Sequence, residues 1–250
     1  MPSQFDLDHV ALAAPDTADA LRFLTGQLGG TVIFGGQAIG FRPMQVWLGS
    51  DDGDGMPVEL LEPWEPEQND FLARFVARHG AGPHHLTFKV PDFDAALERV
   101  RAARIEPVNI DRSDPEWHEM FVMPRDAYGT VVQLAQTDST WTRAELLEHV
   151  RNEGPNAHPR WWVDPLPARG KTTLRRVVVH TPDLDAARVF FGDVLQGKEE
   201  ASSPDTVDLV WPAGARIRLE VGDRAGVDRL EVEGLDDEHT VIGTRFVPAR

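Results

Sequence analysis

The chain has no cysteine in its 250 residues. That excludes a disulfide framework, thiolate catalysis and cysteine-held metals. Basic residues are also scarce: 25 Lys and Arg stand against 41 Asp and Glu, a formal net charge of −16. So acidic a chain argues against nucleic acid and against anionic membrane surfaces as partners, although local charge still decides for a small anionic ligand. No apolar run approaches the roughly 20 residues that cross a bilayer. The opening "MPSQFDLDHV" has neither a basic n-region nor an apolar h-region, so no export signal is read there and cytoplasmic folding is the simplest expectation. The rest of the composition is ordinary for a globular protein, and the length suits one large domain or two small ones with a proper core.

What is present is a repeat. Residues 7–24 read "LDHVALAAPDTADALRFL", residues 83–100 "PHHLTFKVPDFDAALERV", and residues 174–191 "LRRVVVHTPDLDAARVFF". Each is a strand-like run, then Pro-Asp, then a helical pattern. Pro91 and Pro182 follow Pro15 by 76 and 167 residues, and the larger offset also puts Leu28 on Leu195 and Gly30 on Gly197. Asp16, Asp92 and Asp183 are expected N-caps. Ala18, Leu21, Leu24 and Leu28 recur at helical spacing, as do Ala187, Phe190, Phe191 and Val194. Short strand patterns follow in each unit, "TVIFGG", "MQVWLG" and "PVELLEP" in the first, "FVMP" and "TVVQLAQ" in the second, so the unit is β-α-β-β-β. Between the first two units, residues 65–79 are expected to be helical, with Gly80 as the stop and His79 at the C-terminal end. After the second, "STWTRAELLEHVRNEG" is a capped helix, and the Pro-rich "GPNAHPRWWVDPLPARG" marks the best domain boundary. A fourth unit is only suggested near the C-terminus.

Strand phase separates the adjacent histidines of "GPHHLTFKVPD". Side chains alternate across a strand. His84 falls in phase with Leu86, Phe88 and Val90, the set expected to pack under the helix, and is read as structural or supporting. His85 falls with Thr87 and Lys89, and the repeat offset of 76 places it on His9, which falls with Ala11 and Ala13; faces with such small or polar neighbours suit a cavity. In the later strands Glu59 points away from Val58 and Leu60, and Gln133 away from Val132 and Leu134. Two imidazoles, a carboxylate and an amide oxygen at equivalent repeat positions suit a divalent first-row metal.

With those motifs in hand, the sequence resembles the vicinal oxygen chelate superfamily, which holds glyoxalase I, methylmalonyl-CoA epimerase, extradiol dioxygenases and bleomycin-resistance proteins. The resemblance runs through "LDHVALAAPD", "VELLEP", "GPHHLTFKVPD" and "GTVVQLAQ" and extends more weakly over 172–250. It implies an α+β fold of βαβββ modules paired into cupped mixed sheets. It implies two modules and the metal site in 1–138, a helix and linker in 139–171, and a degenerate domain in 172–250. It implies His9, Glu59, His85 and Gln133 as ligands of Zn, Ni, Co, Mn or Fe, a small-molecule substrate, and a homodimer. Two departures stand out. Gln133 replaces the glutamate with which glyoxalases and epimerases usually end the second module. Residues 31–50, which include the middle strand of the first, contain no Asp or Glu. The remaining candidates for a base are Glu59 leaving the metal, or Glu119 or His118 from "DPEWHEMF", read as a loop whose Glu119 and His118 line the substrate pocket. In the C-terminal part, Arg176 stands where His9 does, with Arg218 and Arg229 near the Glu59 and His85 positions. Arginine stays protonated and does not ligate metal, so that part is expected to be structural or to bind an anion.

Three functions compete. One is a metal-dependent isomerase or lyase acting on a small carbonyl or enolisable substrate, with Glu59 among its catalytic groups. Another is a non-haem iron dioxygenase. The third is a non-catalytic binder of the antibiotic-resistance kind, in which Phe41 and Trp47 line the cup, unless they are simply core.

Overall fold

The alternation in "LDHVALAA" is realised as a strand, β1 (Asp6–Ala13), with Val10 and Leu12 fully buried. The computed structural model describes residues 4–139, 141–157 and 170–249. Residues 158–169 of the expected Pro-rich boundary lie outside the described residues.

After β1 come the helix α1 (Ala18–Arg22) and the strands β2 (Thr31–Gly35), β3 (Gly40–Gly49) and β4 (Gly55–Trp64). A second helix, α2 (Phe71–His79), leads to β5 (Gly82–Lys89), α3 (Phe93–Ala102), β6 (Val108–Asp114), β7 (Trp117–Val122) and β8 (Val131–Thr137). The helix α4 (Arg143–Glu153) and the short β9 (Asn156–Ala157) follow. These nine strands form one sheet in the order β6-β7-β8-β5-β1-β4-β3-β2-β9. β1 runs parallel to β4, and β5 parallel to β8. Each βαβββ module therefore folds as the repeat predicts, with its first and last strands side by side.

The third repeat gives β10 (Thr173–Thr181), α5 (Leu184–Arg188), β11 (Lys198–Ser202), β12 (Thr206–Val210) and β13 (Arg216–Val221). The remnant fourth unit supplies β14 (Gly226–Glu233), β15 (His239–Val241) and β16 (Thr244–Pro248), with no helix among them. Together they form a seven-stranded sheet, β11-β12-β13-β10-β14-β16-β15. This is the first sheet's order read from its other end, with counterparts of β9 and β6 missing. Within the sheets, Val177 and Val179 of β10 repeat the burial of Val10 and Leu12.

The described chain divides into two compact units that cut across this order. One holds α3 and β6 to β8 with α5 and β11 to β13; the other holds α1, β2 to β4, α2 and α4 with β15 and β16. In the first unit Phe88 meets Trp211 edge-on at 5.2 Å. In the second, Phe23 meets Phe246 at 5.1 Å.

Local differences from expectation have physical causes. Asp92 and Asp183 are N-caps, accepting from the amides of Ala95 and Ala186. Asp16 accepts from Ala18 N instead, and Thr17 occupies the cap position without a side-chain cap. α1 and α5 both run on into wider π-helical turns, Phe23–Gln27 and Val189–Val194. The amides of Gly30 and Gly197 then close the turn on the carbonyls of Leu24 and Phe191. A side chain has no room there: a Cβ on Gly197 would lie 2.6 Å from the Trp211 ring. The helix expected from residue 65 starts only at Phe71, because Glu65 has a φ of 46°, which breaks the helical path.

Candidate metal centre

The parallel register sets Ala11 of β1 beside Glu59 of β4 and Thr87 of β5 beside Gln133 of β8. Strand alternation then puts His9 on the face that Glu59 shares, and His85 on the face that Gln133 shares. One ligand atom each from His9, Glu59 and His85 lies within 4.8 Å of the others, and all three residues are buried. The two imidazole rings stand edge-on at 5.8 Å. Ligand atoms about 2.0–2.2 Å from a common ion stand roughly 3–4.4 Å apart, so the spacing suits one cation. The donor set fits as well. Two neutral imidazoles and a carboxylate suit Zn, Fe, Co, Ni or Mn.

Neighbouring groups orient these donors. Asp8 Oδ2 accepts from His9 Nδ1 at 2.8 Å, and Lys89 Nζ sits 3.1 Å from the other Asp8 oxygen. A carboxylate accepts only, so Nδ1 carries the proton and Nε2 presents its lone pair. Gln45 Nε2 of β3 donates to Glu59 Oε1 at 3.2 Å. Sequence reasoning missed Asp8, Lys89 and Gln45. An acidic residue directly before the candidate His9 was the available signal for Asp8. Gln45 becomes visible only once β3 and β4 are in register.

Gln133 is buried, and both ends of its amide are engaged. Thr87 Oγ1 donates to its Oε1 at 2.6 Å, and its Nε2 donates to Glu119 Oε2 at 2.7 Å. Trp117 Nε1 donates to the same carboxylate oxygen at 2.8 Å. Glu119 was expected in a loop; it lies on β7, in phase with Trp117 and Phe121, and Phe121 pairs with Gln133. His118 alternates to the other side, where its ring meets Phe93 of α3 at 5.7 Å.

The small residues next to His9 do not border open space. Ala11, Ala13 and Leu61 form a core cluster with Leu72 of α2, and Phe41, Phe71, Phe75 and Val76 pack on it. Phe41 meets Phe71 at 5.6 Å. Trp47 lies in a second cluster with Ile33, Leu147 and Val150, and its indole donates to Ser50 O at 3.1 Å. Both aromatics are thus placed in packing, Trp47 against α4. His84 does pack against a helix, but the helix is α2: Phe75 lies 4.4 Å and Phe71 6.4 Å from its ring. Desolvation pushes its pKa down to about 4, against the opposing pull of the Glu59 charge. His79, at the end of α2, stacks at 4.9 Å on Phe75.

The second sheet places Arg218 beside Val178, as the first places Glu59 beside Ala11. Arg218 makes a two-pronged pair with Asp208, at 2.7 Å on each oxygen, and Arg176 joins at 3.1 Å. Burial alone would raise the Asp208 carboxyl, but hydrogen bonding and charge from Arg218, with Arg176, outweigh it and hold the pKa below the ordinary range. Arg229 pairs with Glu220 at 2.7 Å and with Asp228 at 3.1 Å. Where the first sheet gathers metal donors, the second carries ion pairs.

Residues 8–123 match the family model described as Glyoxalase/Bleomycin resistance protein/Dioxygenase superfamily. The match covers just under half of the chain and agrees with the vicinal oxygen chelate resemblance of the sequence. Among solved structures, a hypothetical protein from Staphylococcus aureus is similar over 98% of this chain and 99% of its own, with a TM-score of 0.66 and 12% identity. That likeness concerns the fold, and it spans both sheets. A methylmalonyl-CoA epimerase in complex with methylmalonyl-CoA and NH4+ is 22% identical, covers 56% of this chain and 99% of its own, and gives a TM-score of 0.48. The epimerase from Mycobacterium tuberculosis is 23% identical over 56% of this chain and 93% of its own, with a TM-score of 0.47. No curated protein matches the sequence. No helix among the described residues is long and apolar enough to cross a membrane.

Proposed function

We propose that the chain is a divalent-metal-dependent isomerase or lyase acting on a small, enolisable carbonyl substrate. The His9–Glu59–His85 cluster is the observation that carries this reading. His9, Glu59 and His85 would hold the metal, with Gln133 a fourth donor if its amide oxygen exchanges Thr87 for the ion. When bound, the metal supplies a Lewis acid that stabilises negative charge developing on a substrate oxygen. The protein's own part is to present these donors from buried strands, with Asp8 and Gln45 fixing two of them. In this reading 1–138 is the metal-bearing domain, 139–171 a connection and 172–250 a degenerate partner without metal. A homodimer in the cytoplasm remains part of the proposal.

Metal titration of the purified protein tests it. One Zn, Ni, Co, Mn or Fe(II) ion should bind per chain, and His85→Ala should abolish binding, while His84→Ala should lower thermal stability and keep the metal. A wild-type protein that binds none of these ions sinks the proposal and leaves a metal-free binder. A second reading has one observation behind it: two imidazoles and a carboxylate are also the ligand set of non-haem Fe(II) oxygenases. Oxygen uptake by the Fe(II)-loaded protein with a catechol would favour it.

A further inference from the structure

Both modules of the first sheet place an amide beside a carboxylate, but in opposite order. In the first module the carboxylate, Glu59, is on the last strand, and the amide, Gln45, is on the middle one. In the second module the amide, Gln133, is on the last strand, and the carboxylate, Glu119, is on the middle one. The positions correspond: Gln45 and Glu59 each precede Glu119 and Gln133 by 74 residues. Register agrees for the last strands, since Ala11 pairs with Glu59 as Thr87 pairs with Gln133. It differs by one diagonal step for the middle strands, because Gln45 lies opposite Glu59 while Glu119 lies opposite Ala135. Contact is kept across that step, with Gln133 Nε2 on Glu119 Oε2 at 2.7 Å.

The exchange separates two duties. Glu59 is gathered with His9 and His85, and in the metal reading it is a ligand. Glu119 is outside that trio and bonded to Gln133, which shares a sheet face with His85. Two neutral donors, Gln133 Nε2 and Trp117 Nε1, meet on the same oxygen, Oε2. Those two bonds fix the carboxylate and still leave its second oxygen for a substrate. A ligand carboxylate is a poor base while it holds an ion; a carboxylate beside the ligands is placed to act.

We propose that Glu119 is the catalytic residue that moves the substrate's proton, held in place by Gln133 and Trp117. This rests on the metal reading above. In the step, the free Glu119 oxygen takes a proton from the carbon next to the substrate carbonyl. The C–H electron pair becomes the C=C bond of an enolate, and the carbonyl π pair moves onto its oxygen. The carboxylic acid so formed returns the proton to the former carbonyl carbon of an α-hydroxy substrate, whose hydroxyl becomes the new carbonyl as its proton passes to the enolate oxygen, or the enolate expels a leaving group from the next carbon. The middle strand of the first module carries no acid, so a single carboxylate serves both directions. This suits a one-base isomerisation or elimination.

The test uses oxalate as a probe, because its vicinal oxygens and negative charge resemble an enolate. Mn(II) affinity, oxalate affinity of the Mn(II)-loaded protein, and melting temperature are measured for wild type, Glu119→Gln and Glu119→Asp. An ionised carboxylate bordering the probe opposes its charge, so Glu119→Gln should bind oxalate about 10-fold more tightly. Its Mn(II) affinity should stay within about twofold of wild type. Glu119→Asp, which keeps the charge, should bind oxalate within about threefold of wild type and serves if the first variant does not fold. A residue that only braces Gln133 would change Mn(II) affinity and leave oxalate binding to the loaded protein alone. That outcome, or loaded wild type that ignores oxalate, overturns the proposal. Failure of the metal reading is distinct, since wild type would then not bind Mn(II) at all.

Discussion

At the scale of single residues, the site is decided by what each donor's other atoms are doing. His9 is a usable ligand because Asp8 accepts a hydrogen bond from its Nδ1–H at 2.8 Å, and Asp8 is itself steadied by Lys89 at 3.1 Å. An amide in place of that carboxylate can accept or donate and no longer enforces one tautomer. Asp8→Asn should therefore weaken Mn(II) or Zn(II) binding by about 10–100-fold, the usual cost of losing such a partner. Isothermal titration against wild type measures it, and affinity within twofold of wild type would remove Asp8 from the site. The same logic explains the two histidines of "GPHHLTFKVPD". They are adjacent in sequence but sit differently: His85 is gathered with His9 and Glu59, while His84, which also feels the Glu59 charge, packs against Phe71 and Phe75.

At the scale of elements, the Pro-Asp repeat made three strand–helix units legible, and strand phase singled out His9, Glu59, His85 and Gln133, of which the structure gathers the first three. The reason is that a period of two is rigid over a short strand, so a candidate's face follows from its neighbours. Contacts between elements were not legible. The alanines after His9 suggested room for a ligand, yet Leu72 of α2 fills it. Glu119 was read as loop because "DPEWHEMF" carries little strand signal, and its bond to Gln133 depends on β7 and β8 pairing in one register. The π-helical turns also escaped notice, since Phe23–Gln27 and Val189–Val194 fit an α-helical pattern nearly as well. Their endings are nonetheless specified by glycine. A Cβ on Gly30 would lie 2.6 Å from Val46 and 2.9 Å from the Leu24 carbonyl, matching the crowding at Gly197. Overpacking of that kind costs about 1–3 kcal/mol. Gly30→Ala and Gly197→Ala should each destabilise by that amount in denaturant melts; a neutral result at either would show that its turn relaxes freely.

At the scale of the whole molecule, one strand order is used twice with different chemistry at the matching positions. The first sheet brings a carboxylate and two imidazoles together as a set that suits one cation. The second joins its strands with the Arg176–Asp208–Arg218 ion pairs, whose side chains are 17%, 18% and 26% exposed. These two arrangements respond to different perturbations. An ion that binds only the folded chain adds about 2.7 kcal/mol of stability at 100 times its Kd. For a chain of this length that is a rise in melting temperature of roughly 5–10 °C. Asp208→Asn removes the shared counter-charge of two half-buried arginines and should cost about 1–3 kcal/mol. If the ion pairs are structural and the metal is held in the first sheet alone, the two effects add within about 0.5 kcal/mol. The Asp208→Asn protein should then melt lower than wild type by the same margin with and without saturating Mn(II), and a chelator should reverse only the metal's share. A metal-induced rise that shrinks in Asp208→Asn would instead mean that the second sheet takes part in holding the ion.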